Sequence, residues 1–186
     1  EEGAKKRWNM PKEEDIKNCK VAAIDPFFLE ETQAAAELCV KHNKPYVTID
    51  CTHDSYLHQH CAVNVVSKEC IQSEQYKEKS EEEIYKLLTE TTDGLVIITR
   101  GEKEMLYGRK GQPMKKMKPF SVEVKSTLGA GDTFKAGCTY GLLHNMSDDE
   151  IVRFASACSA IAISRFPLPL NPPTIEEVLK MLEIEV

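Results

Sequence analysis

The 186-residue sequence is short of several things, and each shortage removes a class of function. It has no basic excess: 24 Lys and Arg stand against 30 Asp and Glu, a formal net charge of −6. A protein that grips a polyanionic backbone needs a basic face, so nucleic acid and acidic membrane surfaces are excluded as main partners. Its longest apolar stretches, around Leu95 to Ile98 and Ala157 to Ile163, fall far short of the ~20 residues a membrane-spanning helix requires. No CxxC pair occurs among its seven cysteines, Cys19, Cys39, Cys51, Cys61, Cys70, Cys138 and Cys158. An odd number without paired spacing favours free, mostly buried thiols and a reducing, cytoplasmic setting. There is no Gly-Lys-Ser/Thr, hence no P-loop, and no internal repeat or low-complexity segment. The sequence starts Glu1-Glu2-Gly3 without a methionine or a basic-then-apolar leader, so no signal peptide is read and the natural start is expected elsewhere.

What is present alternates between short apolar runs and amphipathic segments. After a charged opening that carries Trp8, Val21 to Ile24 reads as a strand stopped by Asp25-Pro26. Glu30 to Asn43 reads as a helix with Ala34, Leu38 and Cys39 near one face, and Pro45 to Ile49 as a second strand closing in Asp50. Ala62 to Val66 gives a third strand, followed by a polar helical segment. Ser80 with Glu83 forms a capping box opening a helix that presents Ile84, Leu87 and Leu88. Leu95 to Ile98 lacks alternation and should be buried on both faces. That β-α-β-β-α-β order predicts a mostly parallel sheet with right-handed crossovers and helices covering it, and a ligand site beyond the carboxyl ends of the strands. Met105 to Tyr107 and Met114 to Met117 predict an appended hairpin, with Lys115, Lys116 and Lys118 along a solvated edge. The alternating Phe120, Val122 and Val124 lead toward a glycine-rich loop, and three helices should finish the chain: Asp132 to His144, one capped by Ser147, one capped by Thr174. A single domain spanning residues 1–186 is expected.

The loop Ser126-Thr127-Leu128-Gly129-Ala130-Gly131-Asp132-Thr133-Phe134 stands where a strand is expected to hand over to a helix. Gly129 and Gly131 let the backbone approach a ligand, and N–H groups of the first helical turn make an anion site. A plain tight turn with Asp132 as a first-turn acid explains the same residues. A dinucleotide loop does not, because GxGxxG would need glycine where Phe134 stands. A carboxylate inside an anion loop repels a resting phosphate, so its presence points to work at the moment of transfer: taking the proton of an attacking hydroxyl.

Thr127 to Phe134 resembles the signature of the PfkB, or ribokinase-like, carbohydrate kinases, and the resemblance runs over essentially the whole chain. Val21 to Asp25, a helix, then Val47 to Asp50 is similar to the family's middle αβ units. Ile97-Ile98-Thr99-Arg100-Gly101 resembles its nucleotide loop, and Phe154 to Ala162 the helix beside the adenine. Pro173 to Val178 is also similar. The resemblance implies a three-layer α/β/α sandwich lacking the amino-terminal substrate and lid portion. It implies transfer of the γ-phosphoryl group of ATP, with Mg²⁺, to a hydroxyl of a sugar or nucleoside-like small molecule. By position, Asp132 is the base and the N–H groups of Gly129, Ala130, Gly131 and Asp132 are the anion hole. Thr99 and Gly101 border the nucleotide phosphates and ribose, and Ser156 and Ala157 lie near the adenine. A homodimer is left open.

Four positions depart from the family pattern. Ser67-Lys68-Glu69-Cys70 stands where an Asn-x-x-Glu element is frequent, Glu104 replaces a glycine, Ser126 replaces an acid, and no sugar-holding segment precedes Glu1. These departures keep a second reading open: a nucleotide-binding or regulatory module without turnover. The metal ligands are not assigned. His53, His58, His60 and Cys61 lack paired ligand spacing and are read as a solvent-facing loop near the sheet's carboxyl edge rather than a zinc site.

Overall fold

The computed structural model describes residues 9–183, so the opening with Trp8 lies outside the described residues. In chain order the elements are α1 (Glu13–Asn18), β1 (Ala22–Ala23), α2 (Glu30–Lys41), β2 (Tyr46–Ile49), α3 (Tyr56–His60), β3 (Val63–Val66) and α4 (Lys68–Ile71). Then follow α5 (Glu81–Glu90), β4 (Leu95–Arg100), β5 (Lys103–Gly108), β6 (Lys115–Met117), α6 (Ala130–Leu143), α7 (Asp148–Ile163) and α8 (Ile175–Leu182).

The six strands form one sheet in the order β1-β2-β3-β4-β5-β6, with β1 to β4 parallel and the last two pairings antiparallel. In β2, β3 and β4 the alternation of side chains divides the apolar residues between two cores. Val47, Ile49, Val63, Val65, Leu95 and Ile97 face α6 and α7 through Phe134, Cys138, Ile151 and Ala155. Val66, Val96 and Ile98 face the opposite way, onto Ile71, Ile84 and Leu88 of α4 and α5. Tyr46 on that second side joins Ala36, Cys39 and Leu57 of α2 and α3. Right-handed crossovers that advance in one direction place every linking helix on the same face, so the other face is left for the helices that follow the hairpin. Three layers result.

The three capping boxes form: Ser80 with Glu83, Ser147 with Glu150, Thr174 with Glu177. Each satisfies N–H groups that a helix start leaves open. On α7, Gly137 of α6 approaches so closely that an added Cβ would lie 2.6 Å from Ala155 Cα.

Five features differ from the sequence reading. Only Ala22 and Ala23 ladder in β1, although Ile24 N–H still donates to Val47 O at 2.9 Å. The buried face of α2 is Thr32, Ala36 and Cys39 rather than Ala34, Leu38 and Cys39. Phe120 to Val124 forms no strand; Phe120 and Val122 pack with Phe154, Ala157 and Val178 instead, and the N–H groups of Lys125 and Ser126 both reach Ile163 O at the end of α7. The final loop is therefore anchored to a helix end, not to the sheet. α6 begins at Ala130, two residues earlier than expected, with Gly129 as its N-cap. The His53 to Cys61 segment carries α3, on which His58 is fully buried. Its Nε2 lies 2.9 Å from Leu88 O, near the amino edge of the sheet, not the carboxyl edge.

Candidate active site

The carboxyl ends of the four parallel strands deliver Asp25 after β1, Asp50 after β2, Ser67 after β3, and Thr99 to Gly101 at the turn from β4 into β5. Each strand ends there because its last residues leave the ladder for a turn. Asp50 adopts φ +50° and its Oδ1 accepts the Ser67 N–H at 2.6 Å, tying two strand ends together. α6 packs on β1, β2 and β3, and Gly131 in its first turn sits against Ile49 at the end of β2. This is the crevice in which parallel sheets bind ligands.

The loop before α6 is held internally. Leu128 N–H donates to Ser126 Oγ at 3.3 Å and Ala130 N–H to Thr127 O at 3.1 Å. Thr133 closes the first turn, its N–H and hydroxyl both donating to Gly129 O. Among the described residues no acceptor takes the N–H groups of Gly129, Gly131 or Asp132. Of the four N–H groups named from the sequence, the turn bond claims that of Ala130. Positive φ is required at Gly129 (φ +79°), whereas Gly131 is helical.

Asp132 lies in the first turn of α6 with its side chain 73% exposed. Lys135, one turn on, places Nζ 3.7 Å from Asp132 Oδ1 and 2.5 Å from Asp25 Oδ2. A cleft of about 300 Å³ opens beside Asp25, lined by Asn9, Pro11, Ile24, Phe28 and Thr32. Thr99 is half-buried with its hydroxyl 3.4 Å from Val66 O. Gly101 takes φ +65° at an exposed turn with open space around it. Ser156 and Ala157 are not at the surface: Ser156 is buried and Ala157 packs among Phe120, Phe154 and Val178. Neither offers area to a nucleotide as the chain stands. On the same helix it is Ser159 whose hydroxyl reaches the loop, donating to Ala130 O at 3.2 Å.

Two thiols near the strand ends are chemically quiet. Burial raises the Cys51 thiol, and burial together with the Asp50 charge pushes Cys70 up to about 12, so both stay protonated and poor nucleophiles. Glu69 is exposed, and among the described residues no group of three or more His, Cys, Asp or Glu is placed to hold a metal ion.

Sequence reasoning passed over Lys135 and treated Asp25 and Asp50 only as strand stops. The signal available was acids closing two successive parallel strands, together with the i, i+3 spacing of Asp132 and Lys135.

Helices on both sides of a mostly parallel sheet, a glycine-capped helix start and an exposed carboxylate near the strand ends define an α/β protein with a crevice at the carboxyl edge of its sheet. Residues 15–173 match the pfkB family of carbohydrate kinases, and the chain belongs to that family. It is 39% identical to the ribokinase of Haemophilus influenzae over 88 residues, which are 47% of this chain and 28% of that enzyme. A ribokinase II from E. coli solved with ATP and Mg²⁺ superposes with a TM-score of 0.78 at 15% identity, covering 92% of this chain and 61% of that one. The ribokinase of Arabidopsis thaliana, solved with ribose and ATP, superposes at 0.74 with 18% identity, over 93% of this chain and 59% of that one. The ribokinase-like fold is thereby shown. The chain spans about 60% of these solved relatives and its match spans less than a third of the curated one.

Proposed function

We propose that this chain is the nucleotide-binding portion of an ATP-dependent small-molecule kinase of the cytoplasm, in which Asp132 is the general base. The observation that carries this reading is an exposed carboxylate in the first turn of α6, beside unclaimed backbone N–H groups and over the carboxyl ends of the strands, in a chain of the pfkB family. The donor is ATP, carried as its Mg²⁺ complex. The acceptor is an alcohol of a sugar or nucleoside-like molecule, seated on the Asp25 side of the crevice.

In the reaction, the acceptor hydroxyl gives its proton to the Asp132 carboxylate as its oxygen bonds to the γ-phosphorus. The bond from that phosphorus to the bridging oxygen breaks and ADP leaves. Negative charge that spreads over the γ-phosphoryl oxygens meets the N–H groups of Gly129, Gly131 and Asp132, with Ala130 joining if its turn bond opens. The positive end of the α6 dipole adds to the same field. Thr99 and Gly101 border the phosphates and ribose, where the open φ +65° turn leaves room for close approach.

Asp132→Asn in the full-length enzyme keeps the side-chain shape and removes the proton acceptor. Turnover with MgATP and a sugar panel beginning with ribose is expected to fall at least ~10²-fold while ATP affinity changes little. Near-normal turnover would remove Asp132 from the mechanism. A nucleotide-binding module without turnover is favoured by the departures from the family pattern, the altered Ser67 to Cys70 element among them, and ADP release by the unmodified enzyme excludes it.

A further inference from the structure

The ion pair beneath Asp132 is built more firmly than a surface contact needs to be. Lys135 and Asp132 are one helical turn apart, and an exposed i, i+3 pair of this kind is mobile and weak. Here the lysine is not exposed. Its side chain retains 12% of its accessibility, and Asp25, 110 positions earlier, holds its ammonium at 2.5 Å. Asp25 is itself fixed, because its carbonyl accepts the Thr32 hydroxyl at 2.6 Å. Its Oδ1 is buried and has no hydrogen-bond partner among the described residues, which leaves Lys135 as the cation facing the carboxylate. Burying an ammonium is costly unless a counter-charge is supplied, and Asp25 supplies it.

We propose that Lys135 is a positioning residue for Asp132, and that Asp25 sets how much of its charge Asp132 receives. The inference rests on the reading of Asp132 as the base. A cation locked 3.7 Å from Oδ1 turns that oxygen toward the helix and leaves Oδ2 for the acceptor proton. The three groups form an alternating row, Asp25 minus, Lys135 plus, Asp132 minus, in which each outer charge competes for the central one.

Other charged or titratable groups on elements packed against α6 do not duplicate this arrangement. From β2 come Asp50, whose Oδ1 is engaged by the Ser67 N–H, and the neighbouring Cys51 thiol. From α7 comes Cys158, which faces Cys138 nearly two turns further along α6. The β3 residues Val63 to Val66 carry none.

The row makes a prediction of opposite signs. Removing the cation with Lys135→Met leaves two carboxylates facing each other, so the acidic limb of kcat/KM should move to higher pH by about half a unit, the scale of a unit charge at this distance in a largely aqueous setting. Removing the competitor with Asp25→Asn frees the lysine for Asp132, so the same limb should move to lower pH. The double variant should return toward the parent profile. Lys135→Arg keeps a cation and should restore most of the kcat lost in Lys135→Met, with the KM for ATP unchanged.

The experiment is the pH dependence of kcat/KM for the full-length enzyme and these four variants, with MgATP and ribose or the sugar that the ADP-release panel identifies, beside thermal unfolding of each. Opposed displacements that cancel in the double variant support the proposal. An unmoved limb, or displacements of both single variants in one direction, overturns it. If Lys135→Met fails to fold, Lys135→Gln takes its place in the cycle, and an Asp25→Asn displacement that persists in full without the lysine charge overturns the proposal. Asp132→Asn separates the two levels: if it retains turnover the base assignment fails, whereas loss of turnover with unmoved limbs in the other variants sinks this inference alone.

Discussion

Asn64 Nδ2 lies 2.8 Å from His58 Nδ1 inside the protein, and this contact fixes the protonation of a fully buried imidazole. The amide can only donate there, so Nδ1 accepts and the ring proton sits on Nε2, aimed at Leu88 O (2.9 Å) and the Thr91 hydroxyl (3.1 Å). A second proton on Nδ1 would face the amide nitrogen head-on.

His58 should therefore make stability pH-dependent. Burial holds its folded-state value below the ordinary imidazole range, so below about pH 6.5 the unfolded chain binds a proton that the native one refuses. Stability is full above that pH and declines by up to ~1.4 kcal/mol per unit as pH falls toward the folded-state value. Glu13 and Glu177, drawn down to about 2 by Lys41 and Arg165 respectively, act only below about pH 4.5 and do not overlap. Urea unfolding between pH 5.5 and 7.5 should show the slope, and His58→Gln should flatten it; a slope unchanged in that variant refutes the assignment.

At the loop, Gly129→Ala should cost more than Gly131→Ala. A side chain at 129 must adopt φ +79° and would meet Leu168 Cδ2 at 2.7 Å, a strain of about 1–3 kcal/mol. At 131 the backbone is helical and the new methyl would meet only the movable end of Ile49 at 3.1 Å, so a change within about 1 kcal/mol is expected. Melting temperatures of the two variants test the order, and the reverse order would place the strained residue wrongly.

Gly137→Ala should cost more than Gly131→Ala, because its new methyl meets backbone rather than the end of a side chain. The new Cβ would sit 2.6 Å from Ala155 Cα, which is backbone and cannot swing aside, so α6 and α7 must separate. A loss of at least about 2 kcal/mol is expected, larger than the ~1 kcal/mol that alanine gains over glycine in a helix. Denaturant midpoints measure it; a variant as stable as the parent would mean the two helices are not in close contact.

Local signals carried most of the fold. Ser80, Ser147 and Thr174 each announce a helix start three residues before a glutamate, because both halves of a capping box lie within one turn. The uninterrupted apolar run Leu95 to Ile98 announces a strand covered on both faces, and all four residues are fully buried. The segment Phe120 to Val124 misled because alternation reports two unlike faces, not a hydrogen-bonded neighbour, and here α7 and α8 supply the apolar side. His58 was misplaced because its partners, Leu88 and Thr91, lie 30 and 33 positions away. The same distance problem hid the Asp25 and Lys135 pair: nothing near either residue in the sequence mentions the other. Burial of Ser156 and Ala157 is likewise a property of what packs on α7, and similarity of residue type does not record it.

Strictly sequential strand order has a bearing on how the chain is made. As it leaves the ribosome, each new strand can dock on the one before, and α2 to α5 cover their side of the sheet as they emerge. The opposite side, with Val47, Ile49, Val63, Val65, Leu95 and Ile97, has its cover in α6 and α7, which are not complete until residue 163. Between the emergence of β4 and the completion of α7 that apolar face stays uncovered, the condition under which nascent chains recruit chaperones or stick to one another.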